Sequence, residues 1–190
     1  RQVEAILAKF ADKRIRLIRR KHEGVVATRM AGYKAARGSL LAVQDADDLS
    51  MPDRLERAVN HFHFNPEIDV YFHAAYVNMW DAQFSAMHWE YRTGDEKKAK
   101  ELLRAQTING WPIFRKEVLK KRPLRMETQH VYDWGFLLDW YYSGFKFGFD
   151  NHATYVYIRR ANSLSERNER EGKRHESLVA LKEIVKREYG

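Results

Sequence analysis

Leu40-Leu41-Ala42-Val43-Gln44-Asp45-Ala46-Asp47-Asp48 is the stretch that decides how this chain reads. Its first five residues are nearly continuous in apolar character, as in a parallel strand buried on both faces. Its last four hold three carboxylates. In open α/β sheets, ligands bind beyond the carboxyl ends of strands. Carboxylates gathered there repel one another unless a cation or a proton intervenes. Hard cations such as Mg2+ or Mn2+ take oxygen ligands and bridge to phosphate. The stretch reads as a buried strand followed by a divalent-metal site for a diphosphate, with Asp45, Asp47 and Asp48 as candidate ligands. The competing reading is an acidic turn in which one Asp caps the next helix.

The surroundings alternate. Upstream, Val3, Ile6, Leu7 and Phe10 have helical spacing, and the alternation in Arg14-Ile15-Arg16-Leu17-Ile18-Arg19 predicts a strand over about 14–19, with Ile15 and either Leu17 or Ile18 turned inward. A helix is expected from about 25 to 36, closed by Gly38. Downstream, Ser50 is the expected N-cap of a helix running to about His63, with Pro52 in its first turn. Asn65-Pro66 breaks that helix and a strand follows over Ile68–Tyr76. Helix, strand, helix, strand, helix, strand is the signature of an α/β fold with a largely parallel sheet.

The second half is less regular. A loop or hairpin is expected over 81–94 and a short helix over about 96–104. An extended segment at 110–115 leads into a helix at about 116–121, and an aromatic-rich helix over 132–142 is stopped by Gly144. Strands are expected at 145–149 and 154–159, then a polar loop, then an amphipathic helix over 173–188 with Leu178, Leu181, Ile184 and Val185 on one face.

Composition bounds the function. The 190 residues include no cysteine, which excludes a disulfide scaffold, a zinc finger, an Fe–S cluster and a Cys nucleophile. No apolar run reaches the roughly 18 residues of a membrane span. The formal net charge is +8, and all of the excess lies in residues 1–37, with eleven Lys/Arg against three Asp/Glu. Such a patch attracts phosphates of a nucleic acid, a nucleotide or an anionic membrane surface, or it is a solvated basic face.

Several stretches, taken in order, resemble the family 2 nucleotide-sugar glycosyltransferases of the GT-A fold. Phe10-Ala11-Asp12-Lys13-Arg14-Ile15 looks like the family's helix-to-strand step. Gly24 to Gly38 looks like its "G…a-R-N-x-G…A-x-G" helix. Asp45-Ala46-Asp47-Asp48 followed by Pro52-Asp53-Arg54-Leu55 matches the "D-x-D-D…p-x-r-l" core, and Asn65 to Val70 the strand after it. Tyr132-Asp133-Trp134 stands at the "E-D-w" position, and Asn162-Ser163-Leu164-Ser165 resembles a late "R-x-H-x-x-S-x-S" segment. The likeness covers about 3–165. It implies a GT-A, Rossmann-like, mostly parallel sheet flanked by helices and N-terminally incomplete, with residues 1–165 as a partial catalytic domain and 166–190 as a C-terminal loop and helix.

The resemblance also implies a reaction. A sugar moves with inversion from a nucleotide diphosphate, a UDP-sugar being the expected donor, to a hydroxyl of a glycan or other acceptor, in polysaccharide or glycan synthesis. Mn2+ or Mg2+ at Asp45 and Asp47, with Asp48 as an adjacent ligand, neutralises the departing diphosphate. Asp133 becomes the general base. Arg29 faces the nucleotide, and Arg160 stands where a late loop closes on the phosphates. The setting implied is cytoplasmic, with room for contact at the inner face of the membrane and no nucleic acid. Met30, Tyr132 and Arg160 depart from the family's usual Asn, Glu and His. The chain also starts after the strand and "D-D-g-S" strand end that hold the nucleoside in the family. Weak nucleotide binding and self-association through an exposed sheet edge are therefore expected. Two other functions compete: a nucleic-acid- or phosphate-binding module built on the basic patch, and a metal-dependent phosphohydrolase built on the Asp cluster.

Overall fold

The computed structural model of the chain describes residues 2–10, 12–81, 86–92, 111–159, 163, 167–168 and 170–190. In chain order the elements are α1 (Gln2–Leu7), α2 (Val25–Ala35), β1 (Leu40–Ala42), β2 (Leu49–Ser50), α3 (Arg54–Phe64), β3 (Val70–Asp81), β4 (Ala86–Arg92), β5 (Ile113–Arg115), α4 (Lys116–Lys121), a 3-10 turn (Met126–Val131), α5 (Tyr132–Tyr142), β6 (Phe147–Arg159) and α6 (Lys173–Tyr189). The expected helix at 96–104 and the Asn109-Gly110 segment lie outside the described residues, as do Arg160, Asn162 and Ser165.

β3 is the spine of the sheet. Val70, Tyr71, Phe72, Ala74, Ala75 and Val77 are wholly buried. Such a continuous run needs cover on both faces, and it has it. Val70 and Phe72 face the larger core, with Val26, Leu41, Phe114, Leu137, Trp140 and Leu181. Tyr71 faces the smaller one, with Ala58 and Phe62 of α3 and Ile113 of β5. Leu181 comes from α6, whose expected apolar face docks as predicted, with Ile184 also buried and Leu178 and Val185 packed against the core.

The α/β class is as expected, but strand pairing departs from a mostly parallel sheet. The order is β1-β5-β3-β6-β2, with β4 paired to β3 as a hairpin. Among the described residues only β3 and β6 are paired in parallel, whereas β1–β5, β3–β5, β3–β4 and β2–β6 are antiparallel. The short strands β2 and β5 insert against the direction of β1, β3 and β6. Two or three residues carry too little periodicity to show a direction in sequence.

Three local readings are corrected. No strand forms over 14–19, and Ile15, Leu17 and Ile18 are all exposed. A strand needs a partner ladder. Here the segment is instead tethered along α2 by side chains, Arg16 donating to the Ala35 carbonyl and Arg20 to the Ala27 carbonyl. Ser50 is not the cap of α3 but sits in β2, and Asp53 is the N-cap. The two strands expected at 145–149 and 154–159 are one strand, β6, whose register against β3 shifts around His73 to Ala75. The bulge absorbs the extra residues there, so the ladder continues through the polar Asp150-Asn151-His152.

Candidate active site

β1 and Val43 lead straight into the acidic turn. Gln44 braces that turn from its own side chain, the Nε2 donating to the carbonyls of Asp45 and Asp48, each at 3.0 Å. The Asp48 N–H donates to the Asp45 carbonyl at 3.2 Å and closes the turn.

The three carboxylates have separate fates. Asp48 points inward and is buried. Its Oδ2 accepts from the Tyr155 hydroxyl at 2.8 Å and its Oδ1 from the Ile158 N–H at 2.9 Å. Burial pushes its pKa up, the two hydrogen bonds oppose that, and Asp45 and Asp47 add to the rise. Asp45 is half-buried, and its Oδ1 accepts from Arg29 Nη2 at 2.5 Å. Asp47 is exposed to solvent. Among the described residues no three His, Asp or Glu side chains converge to hold a metal ion. Asp48, expected as a third ligand, is turned away into the sheet. Three ionised carboxylates side by side are costly, and hydrogen bonding one of them inside relieves the crowding.

Arg29 comes from the second turn of α2. Its guanidinium lies over the Tyr132 ring, 5.0 Å from the centroid, and its Nε is buried with no hydrogen-bond partner. Burial opposes its charge, but Tyr132, Asp45 and Tyr33 outweigh that and hold its pKa above the ordinary value. Tyr132 opens α5, and burial keeps its hydroxyl protonated well above the usual range. Arg29 thus joins the acidic turn to the first turn of α5, where Asp133 is the next residue and half-buried. Met30 packs against the larger core.

Beneath the turn is a network that sequence reading did not find. Arg54 is 2% exposed. Its Nε donates to His73 Nε2 at 3.3 Å, its Nη1 to Gln44 Oε1 at 3.2 Å and Ser50 Oγ at 3.0 Å, and its Nη2 to the carbonyls of Val43 at 2.9 Å and Trp111 at 3.4 Å. Its guanidinium also lies 4.6 Å from the Tyr155 ring centroid. Burial and then the Arg54 charge hold His73 neutral, its pKa lowered to about 4. Arg54 stood in the sequence within the "p-x-r-l" likeness, but nothing in its spacing said that it would be buried.

Trp111 and Trp134 sit differently. Trp111 is half-buried, stacked on Tyr155 at 4.8 Å and tilted against Tyr157 at 4.9 Å. Trp134 packs against the larger core. His61 lies against the Tyr71 ring and His63 against Phe64. His152 pairs with Asp53 at 3.1 Å.

Comparison with known proteins bears on the same residues. The family model for Glycosyl transferase family 2 matches residues 2–122, a span that contains Arg29 and the whole acidic turn and stops short of Asp133. An uncharacterized glycosyltransferase of Methanocaldococcus jannaschii, MJ1057, is 34% identical over 79 residues, 40% of this chain and 27% of that protein. The succinoglycan biosynthesis protein ExoO of Rhizobium meliloti is 45% identical over 56 residues, 29% of this chain and 16% of that protein. Among solved structures, S. aureus TarS 1–349, crystallised with UDP-GlcNAc, superposes with a TM-score of 0.62 at 17% identity, over 87% of this chain and 48% of that one. The fold is thus that of a GT-A glycosyltransferase. This chain spans under half the length of each of these proteins.

Proposed function

The chain belongs to glycosyl transferase family 2, and from that premise we propose that its acidic turn is the donor diphosphate site of an inverting glycosyltransferase. The observation that carries the reading is the pairing of Arg29 with Asp45 beside an exposed Asp47, at the carboxyl end of β1. A cation and two carboxylates at a strand end suit a phosphate-bearing ligand.

The donor set fits a hard divalent cation. Asp47 presents its carboxylate to solvent, and the Arg29 pair occupies only one oxygen of Asp45. Mg2+ and Mn2+ are commonly held by one or two carboxylates, with substrate phosphates and water completing the shell. Asp45 and Asp47 would hold the ion, and its chemistry there is neutralisation of the leaving diphosphate. Arg29, with its unpartnered Nε, offers a further donor to phosphate or base oxygens. Asp133, on the first turn of α5 next to Tyr132, takes the acceptor hydroxyl proton. Arg160, outside the described residues, is assigned to the phosphates.

A UDP-sugar is the donor we favour, supported by the UDP-GlcNAc held by TarS. A polysaccharide acceptor is supported by the part ExoO plays in succinoglycan biosynthesis. No helix among the described residues is long and apolar enough to cross a membrane, and we place the reaction in the cytoplasm, at the inner membrane face.

Calorimetric titration of UDP, with and without Mn2+, tests the reading on this chain and on Asp47→Ala. Binding should require Mn2+ and weaken by about tenfold or more in the variant, the loss expected when one of two carboxylate ligands goes. Mn2+-independent binding, or equal binding by the variant, would sink the metal assignment. Failure of UDP to bind at all would sink the donor.

A further inference from the structure

Arg54 poses a question that the donor reading leaves open. A guanidinium taken out of water carries a large desolvation cost, and an apolar replacement of similar volume is often no less stable. Among the described residues Arg54 has no ion-pair partner. It faces neutral acceptors from four separate places: Val43 and Gln44 at the end of β1, Ser50 in β2, His73 in β3, and Trp111 just before β5. A guanidinium has five N–H donors in a fixed planar fork. All five are used here.

We propose that Arg54 is the positioning residue of the acidic turn, fixing Asp45 to Asp48 relative to β3 and to the Trp111 segment from beneath. This rests on the reading of that turn as the donor site. Two links carry it. First, Arg54 grips the Val43 carbonyl and the Gln44 side chain, and Gln44 in turn holds the Asp45 and Asp48 carbonyls. Second, its guanidinium lies on Tyr155, whose hydroxyl accepts from the Asp45 N–H at 3.3 Å and donates to Asp48.

His73 completes the fork. Its Nε2 lies 3.3 Å from Arg54 Nε and 3.1 Å from the Trp111 carbonyl, and its Nδ1 lies 3.0 Å from the Ala74 carbonyl.

Amide exchange separates bracing from mere stability. The variants are Arg54→Lys, which offers three donors from one point; Gln44→Ala, at a solvent-exposed position; and Phe62→Ala, which loosens α3 without touching the guanidinium. Arg54→Lys and Gln44→Ala should raise exchange at the Asp45 and Asp48 amides about tenfold beyond Phe62→Ala, the effect of losing roughly one anchoring hydrogen bond. Amides of β3 should exchange no faster than in Phe62→Ala. Mn2+-dependent UDP binding should fall about tenfold in Arg54→Lys. Turn amides that merely follow Phe62→Ala in both variants would overturn the proposal; if Arg54→Lys does not fold, Gln44→Ala decides. Were the unaltered chain to bind no UDP while its turn amides responded as expected, the brace would stand and the donor reading would fall.

Discussion

Three aspartates in four residues end in three different environments, and their roles follow from those. Asp48 spends both oxygens on Tyr155 and Ile158, so it shapes the turn. Asp45 gives one oxygen to Arg29. Among the described residues Asp47 is exposed and has no hydrogen-bond or ion-pair partner, so its replacement disturbs the fold least. His73 supplies a prediction of another kind. Its pKa in the fold is about 4, against an ordinary 6.5, because it is buried beside Arg54. The unfolded chain takes up the proton as pH falls through 6.5, while the folded chain does not until about 4. Stability is therefore full above pH 6.5 and declines as pH drops from 6.5 to 4, by about 3 kcal/mol in all. Urea unfolding of the chain and of His73→Gln across that range checks this. The variant, with an amide oxygen to accept from Arg54, should show a flatter profile.

Among the elements, the junction between the 3-10 turn and α5 matters most, because it carries Tyr132, on which Arg29 lies, and the adjoining Asp133. It is clamped from outside by α6. Arg125, just before the 3-10 turn, donates to both oxygens of Glu188 at 2.8 and 2.6 Å and to Asp139 at 2.9 Å, and the Tyr189 hydroxyl donates to Asp139 as well. Hydrogen bonds from Arg125 pull Glu188 down to about 2 from 4.5, so the clamp's contribution is present above pH 4.5 and is lost as pH falls toward 2. Arg125→Ala should cost about 1–2 kcal/mol, a charge-assisted fork at a partly exposed site. Its mark should be faster amide exchange confined to 173–189 and the 3-10 turn, with the sheet unaffected. Uniform exchange across the chain would argue against a local clamp.

Viewed as a whole molecule, the apolar surface is lopsided. Val3, Ile6, Phe10, Ile15, Leu17 and Ile18 are all exposed, within the first eighteen residues. These side chains share their segment with the basic run Arg14 to Lys21, so charge repulsion and apolar attraction compete there. Salt screens the first and strengthens the second in effect. The chain should therefore self-associate, more so at high salt, and Ile6→Lys with Leu17→Lys should return it to monomer. Sedimentation velocity at low and high salt reads this directly. Association that weakens with salt would point instead to charge pairing.

Much of this was legible in one dimension. The acidic turn after a buried strand, the helix containing Arg29, the aromatic helix stopped by Gly144 and the face of α6 all follow from periodicity, turn residues and burial preference, which are local properties. The segment at 14–19 was misread because alternation records what a strand would prefer, while a strand exists only when another pairs with it. Short antiparallel strands such as β2 and β5 leave too little pattern to give a direction. The division of labour among Asp45, Asp47 and Asp48 was equally invisible, since it depends on Tyr155 and Ile158, more than a hundred residues away. So was the burial of Arg54, whose five acceptors come from four separate places along the chain. Read alone, the sequence set most of the elements, the family likeness and the acidic turn after β1. Which carboxylate turns inward and what holds the turn in place were settled in three dimensions, because hydrogen bonds and burial are made by residues that meet only when the chain is folded.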